Sequence, residues 1–224
     1  MKSNPVKTDK WLNSVWNSES RKKRGSFRIR FAALLLIWFF YSLFLLVLSF
    51  RVNLIRENLT GLAYLHDGWI WMVLFSSLTS LLMAFLSLML PVFQSGIWKK
   101  GFLICCFLMM IFPLVPYQEN HGLLNDLHIW GCILSFAGSM IFWFAGMFSI
   151  DQPGWEASWF NPSIRKAVLA QVFILAFSFS LIGICGHVST LAEISFGFLE
   201  VSFLSFLNLK KLFRAAKMTE NHPV

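Results

Sequence analysis

The stretch Thr190–Lys211, TLAEISFGFLEVSFLSFLNLKK, decides how the whole chain is to be read. It is apolar over most of its length and stops at the paired bases Lys210 and Lys211. A helix rises about 1.5 Å per residue, so an apolar run of about 20 residues matches the hydrocarbon thickness of a bilayer, about 30 Å. Two carboxylates, Glu193 and Glu200, sit inside this run. Acids in a lipid-spanning segment are costly, and their presence needs a reason.

The rest of the chain has the same character. It has 224 residues, is 57% hydrophobic with 25 Phe and 10 Trp, and is only 13% charged. A soluble domain carries about 25% charged residues, and a chain this short could not hide so much apolar surface from water. Six windows predict spans at roughly Phe31–Phe50, Trp69–Phe93, Phe102–Pro116, His128–Ile150, Ala167–Cys185 and Leu191–Leu209. The runs are continuous and not alternating, which excludes a transmembrane β-barrel. The expected fold is all-α: a polytopic membrane protein built as a six-transmembrane-helix bundle. The first window follows basic residues, as a signal peptide would. Its apolar run is too long for one and no small-residue cleavage site follows, so it reads as a retained helix. No twin-arginine signal is present either. Pro113 and Pro116 set an early end to the third span.

Orientation follows from the bases. Lys2, Lys7, Lys10, Arg21, Lys22, Lys23, Arg24, Arg28 and Arg30 precede the first span. Lys99 and Lys100 fall in a loop 94–101, Arg165 and Lys166 in a loop 151–166, and Lys210, Lys211, Arg214 and Lys217 in the tail. With six spans all of these share one side, and only Arg51 and Arg56 lie on the other. The positive-inside rule then puts both the N and C termini in the cytoplasm of a multi-pass cell membrane, inner or plasma. Residues 1–30 form a cytoplasmic amphipathic and basic segment, 31–209 the transmembrane domain, and 210–224 a basic tail whose end, 215–224, is expected to be flexible.

Trp11, Leu12, Val15 and Trp16 recur as one face of a short helix, which Thr8 or Asp9 can cap, and a basic cluster follows. Trp155, Trp159 and Phe160 repeat the arrangement in 151–166. Such segments anchor to the membrane interface, the first on an anionic inner leaflet, or dock membrane-protein partners. The net charge of +8 is explained by topology and gives no reason to invoke nucleic acid.

Small residues mark helix contacts. Gly131, Ser135 and Ser139 recur every four residues in the fourth span, Ser76, Ser80 and Ala84 in the second, and Ala176, Ser180 and Gly183 line the fifth. Spans two, four, five and six are therefore expected in the bundle interior, with the bulky first span facing lipid. The serines can also bond their own backbone carbonyls. Cys105, Cys106, Cys132 and Cys185 fall in or near apolar segments and read as small buried hydrophobes, with a Cys132–Cys185 bridge the one pairing to consider.

Glu200 lies ten residues from Lys210, about 15 Å, and so near the bilayer midplane. Glu193 is two turns earlier on the same face, near the outer boundary, with Gly197 between them. No Lys or Arg falls inside a predicted span to pair with Glu200. Two readings follow. The acid in its neutral form is polar glue, donating to a Ser or Thr of span two or four. Alternatively it exchanges protons or binds cations on a water-filled path from outside. The outer loops supply His66, Asp67, Glu119, His121, Asp126, His128 and His187. His128 opens span four and His187 closes span five; with Glu193 they are candidates for a Zn²⁺ site or for general acid–base catalysis. His66, Asp67, His121 and Asp126, together with Glu193 and Glu200, are candidates for binding. Their spacing matches no HExxH or nucleophile-elbow pattern. No P-loop, dinucleotide-binding glycine pattern or haem attachment motif is present, and no cofactor is expected. Asn58–Thr60 forms a glycosylation sequon close to the first span.

The segment LHIWGCILSFAGSMIFWF, in which His128 opens the fourth of six spans, together with an acid in the last span, resembles the broad Frag1/DRAM/Sfk1 group of six-helix membrane proteins. The resemblance implies a role around membrane lipids or lipid anchors, with His128 and, loosely, Glu200 as the matching positions. Three functions stand open from the residues: a small binding or transport-type protein with an outer polar vestibule leading to Glu200, a subunit of a larger membrane complex, and an outer-leaflet lipid-modifying enzyme using His128, His187 and an acid.

Overall fold

The computed structural model describes residues 6–55, 59, 68–90, 96–115, 122–147 and 162–221, with side chains over 27–55, 59, 68–90, 96–115, 122–147 and 165–213. The helices are α1 (Val6–Ser49), α2 (Gly68–Leu88), α3 (Gly96–Ile111), α4 (Leu123–Met147), α5 (Pro162–Cys185) and α6 (Thr190–Asn221). Each contains a segment long and apolar enough to cross a membrane, and no strand occurs among the described residues. The all-α, six-span polytopic bundle is the fold.

Local chemistry explains several boundaries. Pro113 brings no amide hydrogen, so α3 ends at Ile111 and tightens into a 3₁₀ turn, Phe112–Leu114. Gly186 follows Cys185 with φ of 73°, the left-handed conformation that stops a helix cheaply only at glycine. Three residues later the Ser189 hydroxyl accepts the Ala192 amide hydrogen and caps α6. A tight α5–α6 hairpin results.

Several boundaries differ from the sequence expectation: α2 ends at Leu88 and not at Phe93, and α5 starts at Pro162, so Arg165 and Lys166 lie in its first turns and not in a loop. The short amphipathic helix near Trp11 is not a separate element; it is the head of α1, which runs unbroken for 44 residues. Helix α3 starts at Gly96, so Lys99 and Lys100 lie in its first turns and not in a loop. The α6 ladder continues to Asn221 through the tail expected to be flexible. At the fourth element, helix begins at Leu123, five residues before His128.

Helix α6 organises the bundle. It packs on α1, α2 and α5, while α2 packs on α3 and α3 on α4. Aromatic rings bridge α4 to α6, Phe136 on Phe196 at 4.8 Å and Trp143 on Phe203 at 6.1 Å between centroids. In the membrane-spanning window of α6, 44% of residues are buried, the highest share of the six. Helix α1 joins from outside through one stripe, Leu34, Tyr41, Leu45 and Leu48, and leaves most of its surface to lipid, as its bulky sequence implies. Its Trp38 indole donates to Ser202 Oγ on α6 at 2.8 Å. Phe27 and Phe31 meet Phe213, so the start of the first span and the end of the last lie side by side.

The small-residue reading holds for α2 and α4 and fails for α5. Gly131 faces the Phe112 ring, and a Cβ at Gly138 would come within 2.8 Å of Cys105 Sγ, so α3 and α4 approach closely. The hydroxyls of Ser135 and Ser139 turn back to the carbonyls of Cys132 and Phe136. On α5, Ala176, Ser180 and Gly183 are all exposed, and the window is only 17% buried. The fifth helix instead buries Ala167, Gln171, Ile174 and Ser178. A larger polar residue, Gln171, took the interior face, and this outweighed the preference of small residues for contacts.

Candidate functional site

Glu200 is fully buried at 0% exposure, and so is Gln171 of α5. The Gln171 amide donates from Nε2 to Glu200 Oε2 at 2.7 Å, and Met140 Sδ of α4 lies 3.5 Å from the same nitrogen. Two acceptors of this pair, Glu200 Oε1 and Gln171 Oε1, have no hydrogen-bond partner among the described residues. Cys106 of α3 and Tyr41 of α1 stand within electrostatic reach of the carboxyl. The Tyr41 hydroxyl in turn bonds Thr79 Oγ1 of α2 at 2.8 Å. Each of the six helices thus contributes a side chain to one buried cluster around Glu200. That convergence follows from the central place of α6: whatever points inward from the other helices meets it.

The partner of Glu200 corrects the sequence expectation. It is neither a Ser nor a Thr of span two or four, but the amide of Gln171 from span five. A glutamine adds reach, placing its amide across an interhelical gap that a serine hydroxyl cannot span. It also leaves a second acceptor of its own.

Glu193 holds the N-terminal end of α6 in place. Its Oε2 accepts the Leu59 amide hydrogen at 2.8 Å, and the Leu191 amide donates to the Leu54 carbonyl at 2.8 Å. The stretch after α1 is therefore tied down onto the start of α6. Between the two acids, Gly197 gives way to the Tyr41 hydroxyl and the Phe75 ring; a Cβ there would lie 2.6 Å from the Tyr41 oxygen.

The histidines part company. His128 is buried, 2% exposed, with Nδ1 at 2.8 Å from the Val115 carbonyl at the end of the 3₁₀ turn. His187 is exposed in the α5–α6 turn, with Nδ1 at 2.9 Å from the Cys185 carbonyl. His128 lies near the start of α4 and His187 just past the end of α5, two helices that scarcely pack on one another. Among the described residues no three His, Cys, Asp or Glu side chains come together as a metal-holding group, so His128, His187 and Glu193 are not assembled into one. Asp126 is exposed in the first turn of α4, where its charge suits the helix dipole. His66, Asp67, His121 and Glu119 lie outside the described residues, as do the sequon residues Asn58 and Thr60 and the Trp155–Phe160 segment. All four cysteines are free thiols, Cys132 and Cys185 included.

Sequence reasoning missed Gln171, Tyr41, Met140 and Cys106 as neighbours of Glu200; Thr79 is among the Ser and Thr of span two it considered, but its hydroxyl bonds Tyr41 and not the carboxyl. It also missed Asn125, buried near His128, and Asn208, whose amide donates to the carbonyls of Leu86 and Leu204. A signal was present for Gln171 and Asn208, since an amide inside an apolar span is rarely idle. For Tyr41 and Met140 no sequence signal exists. Comparison with protein-family models, curated proteins and solved structures finds no match to this chain.

Proposed function

We propose that this integral membrane protein is of the binding or transport type and that its working step is uptake of one positive charge at the Glu200–Gln171 pair. The observation that carries the reading is the pair of orphaned acceptors. A buried acceptor without a donor costs about 1–3 kcal/mol, and here two belong to bonded neighbours at the centre of the bundle. The amide already gives its hydrogen to Oε2. A proton on Oε1, or a monovalent cation held between Oε1 and Gln171 Oε1, is the kind of group that satisfies both sites. Intramembrane carboxylates are placed at such depth at a cost of several kcal/mol, which function repays more readily than packing does.

A hydrophobic carbodiimide tests the reading, because it reacts with protonated carboxyls in hydrocarbon. In native membranes it is expected to modify Glu200, located by mass spectrometry, and to leave Glu200→Gln unmodified at that peptide. Labelling that falls as pH rises identifies the charge as a proton; protection by Na⁺ or Li⁺ at fixed pH identifies a cation. Labelling indifferent to both rejects the proposal.

The lengths of α1 and α6 favour a second role for the same protein as a subunit of a membrane complex. At 44 and 32 residues they measure about 66 and 48 Å, well beyond a hydrocarbon core of about 30 Å. Their extensions emerge on one side, which the basic residues assign to the cytoplasm and its anionic leaflet. Deleting residues 1–20 is expected to release co-purifying membrane proteins; an unchanged set of partners refutes this role.

A further inference from the structure

The two acids of α6 are separated by about 10 Å along the helix axis, with Gly197 on the face between them. The space above Gly197 is occupied by a hydroxyl. Tyr41 Oη sits where a side chain at 197 would have to go, 2.6 Å from the Cβ that glycine lacks. That hydroxyl bonds Thr79 Oγ1 at 2.8 Å, and either oxygen can be the donor. Both residues are buried, 2% and 3% exposed. One hydroxyl of a reversible pair is therefore fixed at Gly197, which lies along α6 between Glu193, partly exposed, and Glu200, fully buried with an Oε1 that has no partner among the described residues.

We propose that the Tyr41–Thr79 pair passes protons between Glu193 and Glu200 through the gap that Gly197 leaves. The proposal rests on the reading that Glu200 takes up a charge, and it names the charge as a proton and the route as the outer one. Glu193 gives up its proton to one hydroxyl, and a proton from the pair goes on to Oε1 of Glu200. Each hydroxyl gains one proton and loses one, so both end neutral with their mutual hydrogen bond reversed. The net change is a carboxylate at 193 and an acid at 200.

The other groups near Glu200 do not offer this route. Gln171 from α5 already spends its amide hydrogen on Oε2, Met140 from α4 has no exchangeable proton, and Cys106 from α3 is buried beside Cys105. Cys132 from α4 stands within electrostatic reach of Glu193, on the outer side of the relay. The axial steps are about 6 Å from Glu193 to Gly197 and about 4.5 Å from there to Glu200. A swing of either glutamate side chain, or one bridging water, spans such a step.

Infrared difference spectroscopy on the full-length protein in phosphatidylcholine–phosphatidylglycerol vesicles tests the relay. A jump in external pH drives the carboxyl C=O band of Glu200, which Glu200→Gln identifies by deleting it. Tyr41→Phe and Thr79→Val are expected to slow the rise of that band by about 10²-fold, the scale of a lost positioned proton donor, while its final amplitude stays that of the wild type. A thermal melt confirms that each variant is folded, and either variant suffices if the other is not. Wild-type rates in the folded variants overturn the relay, and so does a changed amplitude at an unchanged rate. If the wild-type band itself ignores external pH, the reading of Glu200 as a charge-uptake site falls as well; if it responds but the variants match it, only the relay falls.

Discussion

Replacing Gly197 by alanine adds one methyl group at the tightest point of the α1–α2–α6 junction. The new Cβ would lie 2.6 Å from Tyr41 Oη and 3.2 Å from two atoms of the Phe75 ring. Ordinary contact is about 3.5 Å, so the Tyr41 oxygen must retreat by about 0.9 Å. A move of that size is enough to take its 2.8 Å bond to Thr79 out of range. Overpacking of this kind costs about 1–3 kcal/mol, and the buried hydroxyls left without each other add about 1–2 kcal/mol. The better helix propensity of alanine returns about 1 kcal/mol. The expected net loss is about 2–3 kcal/mol. In a Tyr41→Phe background the colliding oxygen is gone and the hydrogen bond is already lost, so the same alanine is expected to cost less than about 1 kcal/mol. Reversible SDS unfolding of the four proteins in mixed micelles closes this double-mutant cycle. Coupling of about 2 kcal/mol supports the geometry; additivity within about 0.5 kcal/mol refutes the claim that Tyr41 occupies the place of a side chain at 197.

Gln171→Leu removes the amide donor to Glu200 and is expected to destabilise the bundle by about 2–3 kcal/mol, while Gln171→Leu with Glu200→Leu recovers part of that loss because no buried carboxyl remains. The same unfolding assay checks both, and a double variant less stable than Gln171→Leu alone contradicts the pairing. Ser180→Leu on the exposed face of α5 is expected to change stability by less than about 0.5 kcal/mol, and Gly183→Leu, where a Cβ meets nothing within 4 Å, to be neutral or stabilising by up to about 1 kcal/mol through helix propensity. A loss of more than about 2 kcal/mol there would mean that this face is packed after all.

The sequence by itself determined the class and the number of spans. These follow from one-dimensional quantities: apolar run length against bilayer thickness, and residue count times helical rise. The seven-residue spacing was enough to put Glu193 and Glu200 on one face of α6, because helical periodicity is local. The places where span-by-span reading went wrong, the α5 stripe and the partner of Glu200, depend on how each helix is rotated about its own axis. Local periodicity cannot fix that rotation in a segment apolar on all sides, because no polar face marks the outside. Only the tertiary structure decided it, by turning Gln171 inward toward Glu200 and leaving Ala176, Ser180 and Gly183 to face out. The same is true of Tyr41. Its sequence neighbours are bulky and lipid-facing, and its hydroxyl acquires meaning only because residue 197, more than 150 positions away, has no side chain to exclude it.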